Sequence, residues 1–314
     1  MKYPVFDLHC DTAYSLLGES LCECGSLRKN TGHIDLERAG QLAGYAQCFA
    51  CFTSTLDCKI DPVVLFEREI ATAMREIEKN SDRIRLAYSA ADVDKNLKSN
   101  KASGILTIEG PAGFGFDPGL LDYLYLAGFR MTTLGWNESN PLTGSHLTGE
   151  GLSEQGREYV KSAQKNGMIV DVSHISQKGF WDVMETSDKP VIASHSNSAA
   201  VWEHSRNLTD EMFRAICQTG GVVGINLYAD FLGDCPTVDT VCDHIFHFME
   251  MDSAARHIAL GGDLDGCDKL PAGFTGVQDY NFLAERLAER GLSEKEIMNI
   301  FWNNAWGVFD KCCI

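Results

Sequence analysis

Apolar residues in this chain are concentrated in eight runs of strand length, each bounded by polar, glycine or proline residues. Most of these runs are almost continuously apolar and do not alternate with polar positions. Strands covered on both faces, as in a parallel sheet, have this pattern, whereas a half-exposed strand alternates. We therefore predict eight buried, parallel strands, at residues 4–9, 44–52, 103–110, 129–136, 167–174, 190–196, 221–228 and 257–266.

Segments in which apolar residues recur at helical spacing lie between these runs. One of them starts at Pro62 after Asp61, and another ends before Gly167, as is common at helix starts and stops. The spacing predicts amphipathic helices over residues 62–80, 153–166, 208–220, 237–251 and 293–309. Glycine- and proline-rich stretches are predicted to be long loops after strands, at residues 110–119, 140–151 and 264–276.

The order of these elements predicts the fold class. A strand followed by a helix, repeated about eight times within 314 residues, is typical of a (β/α)8 barrel. A doubly wound open sheet is the main alternative, but no GxGxxG motif opens a helix after the first strand. No linker or internal repeat divides the chain. We predict one α/β domain, a (β/α)8 barrel, spanning residues 1–314.

Charge and composition narrow the functional classes. The formal net charge is -17, and because nucleic-acid binding needs a basic surface, we expect no nucleic-acid partner. The first residues lack the basic start and long apolar run of a secretory signal. No run reaches the roughly 18 apolar residues of a membrane helix, and the ending "KCCI" has lysine where a prenylation motif has cysteine. We expect a cytoplasmic protein without membrane contact.

The twelve cysteines suggest metal binding or disulfides, but their spacing supports neither. Cys48 and Cys51 form a CxxC inside the apolar run "YAQCFACF", and no second pair completes a zinc site. Because residues three apart in a strand point to opposite faces, this pair would not converge on one ion. We expect most cysteines to be small buried residues in a reducing compartment.

Ionisable residues recur at the carboxyl ends of the predicted strands, where barrel enzymes carry their chemistry. In "VFDLHCDT", His9 and Asp11 occupy alternate positions and would point to the same side of the first strand. Four more such residues follow other strands. All are imidazoles or carboxylates, which are ligand types for zinc; the set is His9, Asp11, Glu109, His174, His195 and Asp263.

This set is large enough for two metal ions. Catalytic zinc needs three protein ligands and a water, whereas two ions about 3.5–4 Å apart that share a carboxylate would use every residue of the set. Glu109 is the predicted bridge because a carboxylate has two oxygens. His9 and Asp11 would complete one ion and the two later histidines the other. Asp263 would lie beside the metal-bound water as general acid/base.

The motifs "FDLHCDT", "ILTIEG", "GMIVDVSHIS", "PVIASHSN", "RNLTD" and "GGDLDG" occur in this order. From about residue 5 to 310, the chain resembles the membrane (renal) dipeptidase family of metal-dependent hydrolases. The resemblance implies a (β/α)8 barrel that holds two Zn2+ ions and cleaves dipeptides, with Glu109 between the ions and Asp263 as acid/base. It also implies a homodimer.

The resemblance further implies residues that contact substrate. Arg206, in "SRNLTD", would bind the free substrate carboxylate through its bidentate guanidinium, and Tyr228, in "INLY", would line the pocket. One position departs from the better-known dipeptidases, which have a substrate-contacting histidine after the fourth strand. Here "TTLGWNESN" places Trp136 there, and tryptophan has one N–H donor and cannot take up a proton. His146, ten residues later, is a possible substitute.

These residues predict metal-assisted amide hydrolysis. Two cations would lower the pKa of a bridging water to give hydroxide, which attacks the peptide carbonyl. Asp263 would accept the proton and return it to the leaving amine, and Arg206 would restrict the enzyme to very short peptides. Trp136 leaves a second enzymatic hypothesis open, in which the same site hydrolyses another small amide, a lactone or a lactam. A barrel that only binds a ligand or partner is the non-enzymatic alternative.

Overall fold

A computed structural model describes residues 2–17, 25–56 and 59–313 of the chain. Within them, nine strands belong to one sheet, in which all strand pairs are parallel. The strands are β1 (Pro4–Cys10), β2 (Gly44–Phe52), β3 (Ile84–Leu86), β4 (Ala102–Glu109), β5 (Phe129–Thr133), β6 (Ile169–Asp171), β7 (Val191–Ile192), β8 (Val223–Ile225) and β9 (Ile258–Leu260).

Eight of these strands follow one another in the order β7-β6-β5-β4-β2-β1-β9-β8. A parallel bridge between Ala193 and Val223 joins the two ends of this order, so the sheet closes on itself. Strand β3 pairs only with β4 and lies outside the ring. The predicted (β/α)8 barrel is confirmed. Strand β3, three residues long, is too short to have been recognised from its sequence.

Helices alternate with the strands and cover the barrel. The amphipathic pattern correctly predicted five helical regions, and Asp61 caps the longest helix by accepting from the amides of Val63 and Val64. Within the described residues the helices are α1 (Thr12–Ser15), α2 (Leu36–Ala39), α3 (Pro62–Lys79), α4 (Ala90–Lys98), α5 (Leu121–Ala127), α6 (Glu154–Asn166), α7 (Gln177–Thr186), α8 (Asp210–Thr219), α9 (Ala229–Leu232), α10 (Val238–Met251), α11 (Tyr280–Glu289), α12 (Glu294–Met298) and α13 (Asn304–Cys312).

The two ends of the barrel differ in polarity. Apolar side chains from the early positions of the strands, among them Phe6 and Ile105, form one buried cluster with helix α13. The rings of Trp302 and Phe309 lie 5.8 and 6.0 Å from that of Phe6, so the C-terminal helical segment closes this end with apolar contacts. Polar chemistry is thereby left to the opposite end, where the strands run into their loops.

Four of the predicted strands are much shorter than expected. The apolar runs at 167–174, 190–196, 221–228 and 257–266 contain strands of only three, two, three and three residues. His174 and Asp263 have positive φ angles of 70° and 55°, a left-handed conformation that is uncommon outside glycine and is often found at functional sites. The chain therefore leaves the sheet before these residues, and they lie three residues past their strands.

The cysteine prediction holds for the described part of the chain. Nine cysteines are described and all are free, seven of them buried. Cys48 and Cys51 belong to different apolar clusters, on opposite faces of β2, and so do not form a shared site. Cys22, Cys24 and Cys58 lie outside the described residues. Among the described helices, none is both long enough and apolar enough to cross a bilayer.

Candidate active site

One half of the polar cluster at the mouth of the barrel is built around the end of β1. His9 is 1% exposed, and its Nε2 lies 3.4 Å from Asp11 Oδ2 and 3.3 Å from Glu109 Oε2. Asp263 Oδ1 is 3.9 Å from the same nitrogen. The structure therefore brings together four of the six residues that the strand ends suggested, around one imidazole nitrogen.

The other half uses the second oxygen of the same glutamate. Glu109 Oε1 lies 2.9 Å from His174 Nε2 and 3.8 Å from His195 Nε2. These two imidazole nitrogens are 2.8 Å apart. Each carboxylate oxygen of Glu109 thus faces a different set of imidazoles, and all six predicted side chains lie in one cluster.

The cluster fits a metal centre on its own chemistry. The Nε2 atom of His9 is buried and has no hydrogen-bond partner, although an unpaired buried polar atom is costly. Potential ligand atoms of His9, Glu109 and His195, and likewise those of His9, Asp11 and Asp263, lie within 4.8 Å of one another. Imidazole nitrogen and carboxylate oxygen are the donors that zinc accepts, so these residues suit that ion.

The electrostatics of the cluster also favour cations. Burial, reinforced by Glu109, raises the pKa of Asp11 to about 6. Burial, with Asp11 and Glu109 adding to it, raises the pKa of Asp263 to about 8. Burial also lowers the pKa values of His174 and His195 well below their usual range. Neutral imidazoles beside crowded carboxylates provide lone pairs and negative charge, which a divalent cation would neutralise.

The end of β1 is irregular next to His9. The pairing register of β1 with β2 shifts between Asp7 and Cys10, and His9 and Asp11 lie close together, as their alternate positions suggested. Asp7 holds this shape, since its carboxylate accepts from the His9 amide at 2.9 Å and from the Gly262 amide at 3.2 Å. The hydroxyl of Tyr280 also donates to Asp7. One buried carboxylate thereby fixes the backbone next to both His9 and Asp263.

A second buried carboxylate supports His195. Asp171 accepts from the amides of Ser173 and Ser194, each at 2.9 Å, and from the Ser194 hydroxyl. Because that hydroxyl donates to Asp171, its oxygen accepts from His195 Nδ1 at 2.7 Å. Nε2 of His195 therefore keeps its lone pair, the tautomer that a metal ligand requires. Sequence reasoning missed this role, although Asp171 lies within the motif "DVSH".

Asp263 is oriented by an asparagine that the sequence did not single out. Asn226 Nδ2 donates to Asp263 Oδ2 at 3.1 Å, and Asn226 is fully buried. With one oxygen held by the amide, the other faces the metal-ligand cluster. The neighbourhood of Asn226 to Tyr228 in "INLY" was the available signal.

Arg206 is not an ordinary exposed arginine before a helix. It is 4% exposed, and its Nε atom is buried without a hydrogen-bond partner. Nη2 contacts the carbonyl oxygen of His195 at 3.4 Å, and the guanidinium carbon lies 5.4 Å from the ring centre of Phe231. Burial lowers the pKa of Arg206 to about 10, which leaves it charged near neutral pH. A buried cation with an unpaired donor is suited to an anionic ligand.

Comparison with known proteins identifies the family of this chain. The sequence model of the family described as membrane dipeptidase (peptidase family M19) matches residues 1–312. The chain belongs to the membrane dipeptidase family. The resemblance drawn from the motifs is thereby confirmed.

Two sequence relatives of this M19 chain are described as dipeptidases. An uncharacterised dipeptidase of Schizosaccharomyces pombe is 36% identical over 67% of the chain, and the match spans about half of that relative, 53% of its length. The dipeptidase verJ of Clonostachys rogersoniana is 30% identical over 98% of the chain and 84% of its own length.

A solved structure shares the fold. A metallopeptidase from Rhodobacter sphaeroides, determined with a phosphinate mimic of the dipeptide L-Ala-D-Ala, superposes with a TM-score of 0.89. It is 25% identical in sequence, and the match covers 99% of this chain and 100% of that one.

The remaining predicted pocket residues of this M19 protein lie around the cluster. The ring of Trp136 is half-buried, 6.2 Å from that of His174 and 4.9 Å from that of Phe52. Tyr228 is half-buried and packs edge-on against Phe231 at 4.7 Å. Trp136 thus lies beside a predicted metal ligand, whereas Tyr228 packs against the aromatic ring that contacts Arg206.

His146 does not reach the cluster directly. Its Nδ1 lies 2.7 Å from the Ser205 hydroxyl, and its Nε2 lies 3.0 Å from Asn137 Oδ1. Burial, together with the nearby Arg206 charge, lowers the pKa of His146 to about 3, so the ring is neutral. Asn137 Oδ1 is also 2.9 Å from His174 Nδ1. Both ring nitrogens of His146 are thus engaged by side chains of the protein.

Proposed function

We propose that this protein is a zinc-dependent dipeptidase with two zinc ions per chain and Glu109 between them. The proposal rests on one observation: the two carboxylate oxygens of Glu109 face different histidines, Oε2 facing His9 and Oε1 facing His174. Asp11 would complete the first ion and His195 the second. Membership of the membrane dipeptidase family supports the same activity.

The residues around this centre suit amide hydrolysis. When bound, zinc would lower the pKa of a water towards 7 and polarise the scissile carbonyl. Asp263 takes the proton of the attacking water on Oδ1 and returns it to the nitrogen of the leaving amine. Oδ2 stays engaged with Asn226, so the carboxyl keeps one orientation through both transfers. Water and dipeptide are consumed, and two amino acids are released.

Arg206 would select short peptides. Its buried guanidinium lies next to the carbonyl of His195, so a free carboxylate paired with it would be held near the ligand cluster. A bidentate pair of this kind fixes both position and orientation. Longer peptides would place an uncharged amide there and would lose the pairing, so we expect activity to be confined to substrates with a carboxylate one residue from the scissile bond.

The stereochemistry of the substrate is part of the proposal. The Rhodobacter sphaeroides relative was solved with a phosphinate mimic of L-Ala-D-Ala. We infer that the present protein also accepts a D-residue at the C-terminal position, and that L-Ala-D-Ala is a suitable first substrate.

A second candidate function keeps the same centre and changes the substrate. Trp136, beside His174, gives the pocket an aromatic wall where the resemblance implies a histidine. A pocket that has no second side chain able to carry a proton suits the hydrolysis of a small lactone or a lactam, because the strained carbonyl of such a ring needs less help from the protein to be attacked. This alternative accounts for the departure at residue 136.

Metal analysis combined with a substrate panel tests both candidates. The purified protein is reconstituted with zinc, its bound metal is quantified, and L-Ala-L-Ala, L-Ala-D-Ala, Gly-Gly, a tripeptide, a lactone and a β-lactam are assayed. Two zinc ions per chain and turnover of dipeptides but not the tripeptide support the dipeptidase. Turnover of only the lactone or lactam favours the alternative, and a chain that binds no zinc contradicts both.

A further inference from the structure

Asn137 connects two histidines that come from different parts of the chain. Its Oδ1 lies 2.9 Å from His174 Nδ1 and 3.0 Å from His146 Nε2. A carbonyl oxygen has two lone pairs and accepts from both rings at once. His146 in turn accepts from the Ser205 hydroxyl at 2.7 Å. These contacts form one continuous chain of hydrogen bonds from the loop after β5 to the segment that carries Arg206.

Only one placement of the protons makes His174 a metal ligand. If the Asn137 oxygen faces the rings, His174 carries its proton on Nδ1 and keeps the Nε2 lone pair, which lies 2.9 Å from Glu109 Oε1. If the amide nitrogen faced them instead, Nδ1 would have to accept, and the proton would move to Nε2 and block coordination. Partners of this kind are known to fix both the tautomer and the ring orientation of histidine ligands.

The two predicted ligand histidines therefore have different supports. His195 is held through Ser194 by the carboxylate of Asp171. His174, on the same side of Glu109, has only a neutral amide on its Nδ1 side, and this amide lies in a loop and is half-buried. A substitution at Asn137 should accordingly act on one ligand and leave the support of the other unchanged.

We propose that Asn137 is a positioning residue that holds His174 in its metal-binding tautomer, and that His146 couples this residue to the Ser205–Arg206 segment. The inference rests on the proposed dinuclear centre and adds to it a specific determinant of the affinity for the ion at His174. It also assigns a role to His146, whose two ring nitrogens are both used within the protein.

Zinc titration of the metal-free protein tests the role of Asn137. Asn137→Leu keeps the approximate size of the side chain but cannot accept, so the weaker of two binding steps should lose about 10–100-fold in affinity. Asn137→Asp restores an acceptor for both rings, so it should bind zinc at least as tightly as the wild type. Asn140→Asp is the matched control, because it adds the same charge to the same loop and Asn140 contacts only backbone atoms.

Three results would overturn the inference. The first is that Asn137→Leu binds both zinc ions within twofold of the wild-type affinity, and the second is that Asn137→Asp binds zinc as poorly as Asn137→Leu. The third is that Asn140→Asp changes the zinc affinity as much as Asn137→Asp does. The titration needs no turnover, so its outcome is separate from the identity of the substrate. A wild-type chain that binds no zinc would instead refute the proposed dinuclear function itself.

The coupling to Arg206 has its own readout. His146→Leu removes the anchor of Ser205 but leaves the Asn137 oxygen free to accept from His174. We expect KM for a dipeptide to rise about 2–10-fold, the value of one hydrogen bond, while kcat changes less than twofold and zinc affinity falls less than in Asn137→Leu. An unchanged KM would show that His146 does not position the arginine segment.

Discussion

Replacing Asp263 by asparagine tests the proton-transfer step with little change in shape. Asp263 Oδ2 accepts from Asn226 at 3.1 Å, and Oδ1 faces His9 Nε2 at 3.9 Å. An asparagine oxygen can still accept from Asn226, so the packing is kept. The amide group that replaces Oδ1 has no basic lone pair and cannot receive the proton of the attacking water.

The expected cost follows from that missing acceptor. A positioned general acid/base contributes about 10²–10⁴-fold to a rate, which corresponds to about 3–5 kcal/mol in activation free energy. In Asp263→Asn we expect kcat to fall by this factor. KM should change by less than about threefold, because the proposed carboxylate partner of the substrate, Arg206, is untouched.

The assay compares zinc-loaded wild type and variant on L-Ala-D-Ala, with released amino acid measured over time and zinc quantified in the same samples. Asp265→Asn is the matched control. Its carboxylate lies two residues on and accepts from the Thr12 hydroxyl and the His33 amide, so its loss should reduce thermal stability and leave kcat within about threefold.

Two outcomes would refute this reasoning. An Asp263→Asn enzyme with two zinc ions and nearly normal turnover would show that another group moves the proton. A variant that has lost its zinc would show that Asp263 acts mainly as a metal ligand, contrary to its assignment as the general acid/base.

Four further predictions follow from the same geometry. Glu109→Gln, with one neutral oxygen, should reduce bound zinc from two ions per chain to one or fewer after dialysis, measured by elemental analysis. Arg206→Ala should raise KM for a dipeptide about 10–100-fold, the cost of a lost charged hydrogen-bond pair, and should abolish the preference for the free acid over its C-terminal amide. In the folded, metal-free protein burial raises the pKa of Asp263 to about 8, against 3.8 for an isolated carboxyl group, so ionisation of this group favours unfolding. The free energy of unfolding should therefore fall by about 1 kcal/mol between pH 7 and 9. Chemical denaturation should show a smaller fall in Asp263→Asn. Gly261→Ala would drive a Cβ into a backbone oxygen and should cost about 3 kcal/mol, whereas Gly307→Ala, with open space around it, should not lower the melting temperature.

The barrel was predictable because its signal is local. Nearly continuous apolar runs such as "GYAQCFACF" give long buried strands, and β2 and β4 were placed within one residue at each end. In the runs that contain His174, His195 and Asp263 the predicted strands were too long, since the apolar residues continue into buried loops after the strand has ended. Apolar periodicity reports burial, and a buried loop has the same composition as a buried strand.

The set of residues at the mouth was also predictable. His9, Glu109 and His195 were chosen for their chemistry and their places after strands, and the structure brings them within contact distance of one another. The cytoplasmic location and the homodimer stay predictions, since both depend on surroundings beyond the single chain. The residues that orient the cluster, such as Asn226 and Asn137, carried no comparable signal, because a buried amide is a common structural residue.

The fold class and the six ionisable side chains could thus be predicted from the amino-acid sequence, since strand patterning and ligand chemistry are properties of short segments. The folded chain was needed to show which oxygen of Glu109 faces which histidine, which nitrogen of each imidazole keeps its lone pair, and that His146 contacts Asn137. These are questions of direction over about 3 Å between individual side-chain atoms, many of them on segments far apart in the chain. Hydrogen bonds and coordination depend on such directions, and no local pattern in a chain encodes them.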